Sequence, residues 1–286
     1  MVAPTQTGSD LEAQISARCH GISKSEHVCA EVVRVSVPAS AVDAVPGLLR
    51  ANSIPGMQAE MLLLDSQVEP NLLEAIMPMC EVIYFDSSRF ERRLDLVTQL
   101  AGGKWQLVDT QWLALGAWRD QVRAIYDKPA FNELLANLGE IEIAAQVEGA
   151  GDIVPASALL MAGWLIDRLN IKPVAYKAGV FDCRLQVKAP VSVRLRTMES
   201  SSPSRLSALS MLGRKGSGMS VYFERNDKLI TTVELGGEKF KFSKALEDDS
   251  MPASLKHYFT IGESTLNYRR SLAQALQLTA LMKRGS

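Results

Sequence analysis

Short apolar runs alternate with segments of helical periodicity through the first half of this 286-residue chain. Residues 30–37 (AEVVRVSV) set Val33, Val35 and Val37 on one face of a strand that Pro38 stops. A helix over 40–51 carries Val42, Val45, Leu48 and Leu49. Met61-Leu62-Leu63-Leu64 is an unbroken apolar run, which predicts a strand covered on both sides. A helix over 69–79 leads to a second buried strand, Val82-Ile83-Tyr84-Phe85. A helix over 91–101 then stops at Gly102-Gly103, and a short strand covers 105–108. Strand–helix–strand units in series predict a mostly parallel sheet with helices on its faces.

The middle of the chain reads as helical. Trp112, Leu115, Trp118, Val122 and Ile125 make one apolar stripe, with Arg119, Asp120, Arg123 and Asp127 on the other faces. Pro129 opens a further helix whose stripe is Phe131, Leu134, Leu135 and Leu138. A strand over 140–147 and the loop EGAGDIVP precede a helix over 157–169 that turns Leu160, Trp164 and Leu169 inward.

Beyond Pro173 the texture changes. Val191, Val193 and Leu195 alternate with Ser192, Arg194 and Arg196, the mark of a strand with one wet face. The serine-rich joint ESSSPS is expected to lead into a short helix bearing Leu206, Leu209 and Leu212. Three strands follow, joined at Asn226-Asp227 and Gly236-Gly237, dipeptides that accept the positive φ of tight hairpins. A final helix over 263–283 uses Leu266, Leu272, Leu276 and Met282. The expected fold class is α/β. Residues 1–172 would form a mostly parallel sheet flanked by helices, and residues 173–286 a smaller α+β domain with an antiparallel sheet.

Charge and cysteine usage narrow the function classes. Lys+Arg number 31 against 32 Asp+Glu, a net charge of -1, so the chain has no surplus of cations for nucleic acid. The start MVAPTQTGSDLEAQ lacks the apolar core of an export signal, and no apolar run approaches a bilayer span. Neither a nucleic-acid nor a membrane partner is expected, and the expected location is cytoplasmic. Cys19, Cys29, Cys80 and Cys183 are widely spaced and form no C-x-x-C couplet, so reduced thiols are expected in place of a metal site. Cys19, Cys29 and Cys183 are the redox candidates.

Candidate chemistry is sparse. Three successive strands end in an acid, at Asp65, Asp86 and Asp109. The carboxyl ends of parallel strands line ligand crevices, so these acids could serve an enzyme that binds a sugar phosphate or a nucleotide. Capping of the next helix is the commoner role for such residues. The 3 histidines lie beside no nucleophile signature. Gly213-Arg214-Lys215-Gly216-Ser217-Gly218 lacks the Walker spacing and reads as a connector, and no G-x-G-x-x-G follows the first strand. No catalytic residue and no cofactor is assigned. Trp112, Trp118 and Trp164 are ordinary core candidates, yet tryptophan and arginine are also enriched at interface hot spots. Arg89, Arg119 and Arg168 lie near them in sequence and share that contact reading.

The ordered series CAEVV, EVIYFDSSRF, LVDTQW, L-x-x-WRD and ALLMAGWLIDRL resembles the OpcA family of glucose-6-phosphate dehydrogenase assembly proteins. The match is good over residues 15–170 and extends to the remainder in layout alone. The chain departs from the family at Gly56-Met57, where many members carry a tryptophan pair, and family chains tend to begin earlier. The resemblance implies an effector that binds and activates glucose-6-phosphate dehydrogenase and makes or breaks no bonds itself. It also implies partner contacts among the motif residues Asp86, Ser87, Ser88, Arg89, Trp112, Trp118, Arg119, Trp164 and Arg168.

Overall fold

The computed structural model describes residues 2–4, 12–21, 27–37, 39–53, 59–64, 68, 70–90, 94–148, 154–177, 179–185, 190–200, 205–214, 219–226, 228–246, 248, 250–261 and 265–285. For most of the first three strands only the backbone is described. The chain divides into two compact units, Met1–Ala59 with Gln67–Glu81, and Glu60–Ser66 with Val82–Ser286.

The first unit contains a three-stranded sheet of β1 (Val2–Pro4), β2 (Glu12–Gly21) and β3 (His27–Val37), in the order β1-β3-β2. Strand β3 is the valine-rich strand expected from the sequence, and β2, where Ala13, Ile15, Ala17 and Cys19 alternate with Gln14, Ser16, Arg18 and His20, is a further strand beside it. A 3-10 turn, Ala39–Ala44, runs into α1 (Val45–Asn52). Val45 is buried there against Leu48, Leu49, Leu72 and Ile76. Leu72 and Ile76 come from α2 (Pro70–Ile76).

The second unit holds two sheets. In the smaller, β4 (Ala59–Leu62), β5 (Cys80–Phe85) and β6 (Gln106–Asp109) lie in the order β4-β5-β6, with β5 and β6 parallel. Ile83 and Phe85 are fully enclosed on one face of β5, and Val82 and Tyr84 are buried on the other. That strand is covered on both sides, as its unbroken apolar run predicts. The run Met61–Leu64 is not. Leu63 is buried, but Leu62 and Leu64 are 47% and 41% exposed. Strand β4 lies at the sheet edge.

The larger sheet has eight strands. They are β7 (Leu138–Glu148), β8 (Ile171–Lys177), β9 (Val180–Leu185), β10 (Pro190–Ser200), β11 (Arg205–Gly213), β12 (Met219–Arg225), β13 (Lys228–Leu235) and β14 (Glu238–Ala245). Their order is β14-β13-β12-β11-β7-β10-β9-β8. Neighbours are antiparallel except β7 and β10, which run parallel, so the sheet is mixed and draws strands from both sides of residue 172. Gly236 and Gly237 take positive φ at the β13–β14 hairpin, as expected of that dipeptide.

Two expectations fail here. Leu206, Leu209 and Leu212 lie on strand β11 and not on a helix. A bulge between Leu206 and Ala208 shifts the alternation by one, so Leu206, Leu209 and Met211 face the core at a spacing that imitates a helical stripe. Leu138 opens β7, because the helix before it, α6 (Asn132–Ala136), stops after five residues.

One face of the large sheet is packed by helices. They include α5 (Gly116–Tyr126), α6, α7 (Ala156–Arg168) and α9 (Thr265–Gly285). Helix α7 is buried from Ala156 through Ile166. At Gly163 an added Cβ would stand 2.2 Å from the Ser271 carbonyl oxygen and 2.9 Å from the Ala275 nitrogen. Only glycine permits α7 and α9 to lie this close. The remaining helices are α3 (Leu94–Gly102), α4 (Thr110–Ala114) and α8 (Met251–Ile261). No helix among the described residues is long and apolar enough to cross a membrane.

Candidate functional site

The strand-end acids sort into separate roles. Asp65 lies outside the described residues. Asp86 folds onto its own turn, its Oδ1 accepting from the Ser88 amide at 3.0 Å and from the Ser88 hydroxyl at 2.6 Å. Asp109 is buried at the end of β6 and caps α4. Its Oδ1 accepts from the Gln111 amide at 3.0 Å and the Ser87 amide at 3.1 Å. Its Oδ2 accepts from the Tyr268 hydroxyl of α9 at 3.1 Å. Burial pushes the Asp109 carboxyl up to about 7, and the nearby Asp86 adds to the rise, while the two amide donors oppose it. Burial and the same carboxylate hold the Tyr268 phenol well above its ordinary value.

Around this capped acid lie most of the residues singled out by sequence. Trp112 packs on Tyr268 with ring centroids 5.7 Å apart, and the Arg119 guanidinium stands 3.6 Å above the Trp112 ring while donating to the Trp112 carbonyl. Arg119 is therefore interior, only 3% exposed, and not on a wet helix face. A planar guanidinium can enter such a site because it stacks on the indole as it bonds the carbonyl. The helical stripe is interrupted at Leu115, where α4 ends and α5 begins. Trp118 and Trp164 are buried as well, and Arg123 reaches over the Trp164 ring at 5.8 Å.

Among the contact candidates, Ser87, Trp112, Trp118, Arg119 and Trp164 are thus interior in this chain. Arg89 and Arg168 are exposed, and Asp86 and Ser88 are half-buried. Arg168 donates to Asn267. Arg89 donates to the Leu64 carbonyl oxygen at 2.6 Å, which joins the Asp86–Arg89 turn to the end of β4. Of the redox candidates, Cys183 is buried, and that burial raises its thiol to about 12, with Asp182 contributing. Strand register sets Cys19 opposite Cys29 across β2 and β3, and their side chains lie outside the described residues.

A surface feature that the sequence does not announce adjoins Arg89. On the face of the small sheet that carries Tyr84, α8 supplies Leu255, Tyr258 and Phe259. Tyr84 donates to Glu60 at 3.0 Å, and Gln106 donates to Tyr258. The Phe259 ring lies 5.6 Å from Tyr84 and 5.5 Å from Tyr258, yet the residue is 65% exposed. Glu60 and Leu62 alternate onto that same face. Leu62, Leu64 and Phe259 are thus exposed apolar side chains of β4, its end and α8, and the Arg89 guanidinium bonds the Leu64 carbonyl oxygen. Tyr268, Arg269 and Phe259, all from the last two helices, have no motif around them. Arg269 nevertheless clamps three carbonyl oxygens, those of Ala101, Gly103 and Trp105.

The mixed α/β fold is shared with solved structures. Glucose-6-phosphate 1-dehydrogenase from Mycobacterium avium superposes with a TM-score of 0.55 at 10% identity, covering 88% of this chain and 76% of that one. The 3-ketoreductase KijD10 from Actinomadura kijaniata gives a TM-score of 0.51 at 10% identity, with 83% and 80% covered. These likenesses define the fold alone. Family is settled by sequence: residues 105–277 match the profile of the OpcA family, described as the C-terminal domain of a glucose-6-phosphate dehydrogenase subunit, and the chain belongs to that family. A relative from Nostoc punctiforme, named as a putative OxPP cycle protein OpcA, is 30% identical over 187 residues. That alignment covers 62% of this chain and 39% of the relative. The protein of the same name from Synechococcus elongatus is 26% identical over 199 residues. The aligned stretch spans about two-fifths of these relatives' length.

Proposed function

We propose that this chain is a non-catalytic effector and assembly factor of glucose-6-phosphate dehydrogenase in the oxidative pentose phosphate cycle, acting in the cytoplasm. Family membership carries the reading, through the match over residues 105–277. The geometry is consistent with it. Both Asp109 oxygens are taken up by protein donors, so this strand-end acid caps a helix and holds α9 instead of facing a sugar or nucleotide. The contact surface would be Leu62, Leu64 and Phe259 with Arg89, an apolar centre with one cationic edge. Asp86, Ser88 and Arg168 remain candidates for its rim.

An effector of this kind binds the enzyme more tightly in its active oligomeric state and shifts that population by the difference in affinity. A preference of about 1.4 kcal/mol moves the equilibrium tenfold, well within the reach of one interface. Kinetics and oligomeric state of the dehydrogenase, measured with and without this protein, test the reading. A fall in KM or rise in kcat together with a change in assembly is expected; no change in any of the three overturns it.

A further inference from the structure

Among the described residues, the second face of the eight-stranded sheet carries half-buried and exposed polar side chains, and we infer that it binds the same face of a second copy of this chain. The helices α5, α6, α7 and α9 all pack on the face that carries Ile141, Ile143, Val193 and Phe223. Strand register places the alternate residues on the other side. There Glu142 of β7 is flanked by Arg194 of β10 and by Ser210 of β11, and Ser210 is flanked by Tyr222 of β12. The Arg194 and Arg196 side chains are 43% and 61% exposed.

Three properties of this face select its occupant. First, its charges stand in adjacent columns of opposite sign at the middle of the sheet. Glu140 and Glu142 lie on β7, and Arg194 and Arg196 lie on β10, with the closest contact 2.9 Å between Arg196 and Glu142. A single-sign field suited to nucleic acid or a charged membrane is absent from these columns. Second, the strands beside the columns carry Ala208, Leu212 and Tyr222 at half-buried positions, a mixture that an always-wet face would not need. Third, the area is adequate. Eight strands at about 4.8 Å give roughly 38 Å of width, and about six residues of strand length give roughly 20 Å, or about 750 Å² per copy. A standard interface buries about 800 Å² per partner.

A second copy supplies the matching columns by symmetry. Consider a two-fold axis that lies between the stacked faces and runs along the boundary of β7 and β10. The rotation sets β7 of one copy over β10 of the other at unchanged register. Because Glu142 and Arg194 are register partners, each Glu142 then meets the Arg194 of its mate. Sheets packed face to face keep their strands within about 30° of each other, which such an axis permits. As exposed pairs these ions contribute little, but between stacked sheets they lose water and fix the register.

Sedimentation equilibrium of the purified chain alone tests the inference, apart from any effect on the dehydrogenase. The expected result is a dimer. Arg194→Glu sets like charges over one another and should raise the dimer dissociation constant about a hundredfold. The double variant Glu142→Arg with Arg194→Glu exchanges the two columns and should restore the dimer. Unchanged circular dichroism separates lost pairing from misfolding. A wild-type chain that stays monomeric overturns the inference, as does a dimer indifferent to Arg194→Glu. Association through this face with the dehydrogenase alone also overturns it and assigns the face to that enzyme.

Discussion

The Tyr268 hydroxyl donates to the Asp109 carboxylate at 3.1 Å, across 159 residues of sequence. This bond joins the end of β6 to helix α9 inside the second unit. Together with the amides of Ser87 and Gln111 it gives a buried carboxylate three donors. The acid thus closes a polar junction instead of facing a ligand.

Stability should fall as pH rises through neutrality. Asp109 titrates near 7 in the folded chain because it is buried, against about 3.9 when unfolded. Between those values the folded state holds the extra proton. The contribution is full below about pH 4 and is lost as pH passes 7, a swing of about 4 kcal/mol at most. Asp109→Asn keeps an oxygen for the two amides and removes the titration. Urea unfolding from pH 5 to 8 should show a downward slope in the parent and a flatter one in the variant.

Substitution at Gly163 should be costly. The first added carbon meets backbone of α9 and not a side chain that can swing away. Gly163→Val is expected to destabilise by about 1–3 kcal/mol or more, measured by the shift in urea midpoint. Gly47, with nothing within 4 Å of its Cβ position, is the control, and Gly47→Ala should be nearly neutral or stabilising.

Arg119 should behave as a packing residue with a charge. Arg119→Met removes the stacking on Trp112 and the bond to its carbonyl, a loss of about 2 kcal/mol. Arg119→Lys keeps the charge but not the planar fork, and should recover less than half of that. Thermal unfolding of the three proteins gives the ranking.

Phe259→Ala should divide stability from partner effect. At 65% exposure its truncation should change stability by no more than about 0.5 kcal/mol. Under the proposed function it should weaken the chain's action on glucose-6-phosphate dehydrogenase at least tenfold, read from titration of dehydrogenase activity.

What the sequence shows and what it hides follow from range. The strand Val82–Phe85, helix α7 and the Gly236-Gly237 hairpin are legible because local patterns decide them. The β11 bulge is not, since one extra residue turns a strand's alternation into an apparent helical stripe. Neither is the exposure of Leu62 and Leu64, because an edge strand and a central one share the same composition. Asp109 is visible as a cap, but its third donor is Tyr268, and no local rule pairs residues 159 apart. The motif MAGWL contains Gly163, whose reason for being glycine becomes clear only when α9 packs against it.

The distance between Asp109 and Tyr268 also has a consequence for biosynthesis. A ribosome adding about 5–20 residues per second needs roughly 10–30 s to travel from one to the other. Throughout that interval the nascent chain presents Trp112 without its covering ring.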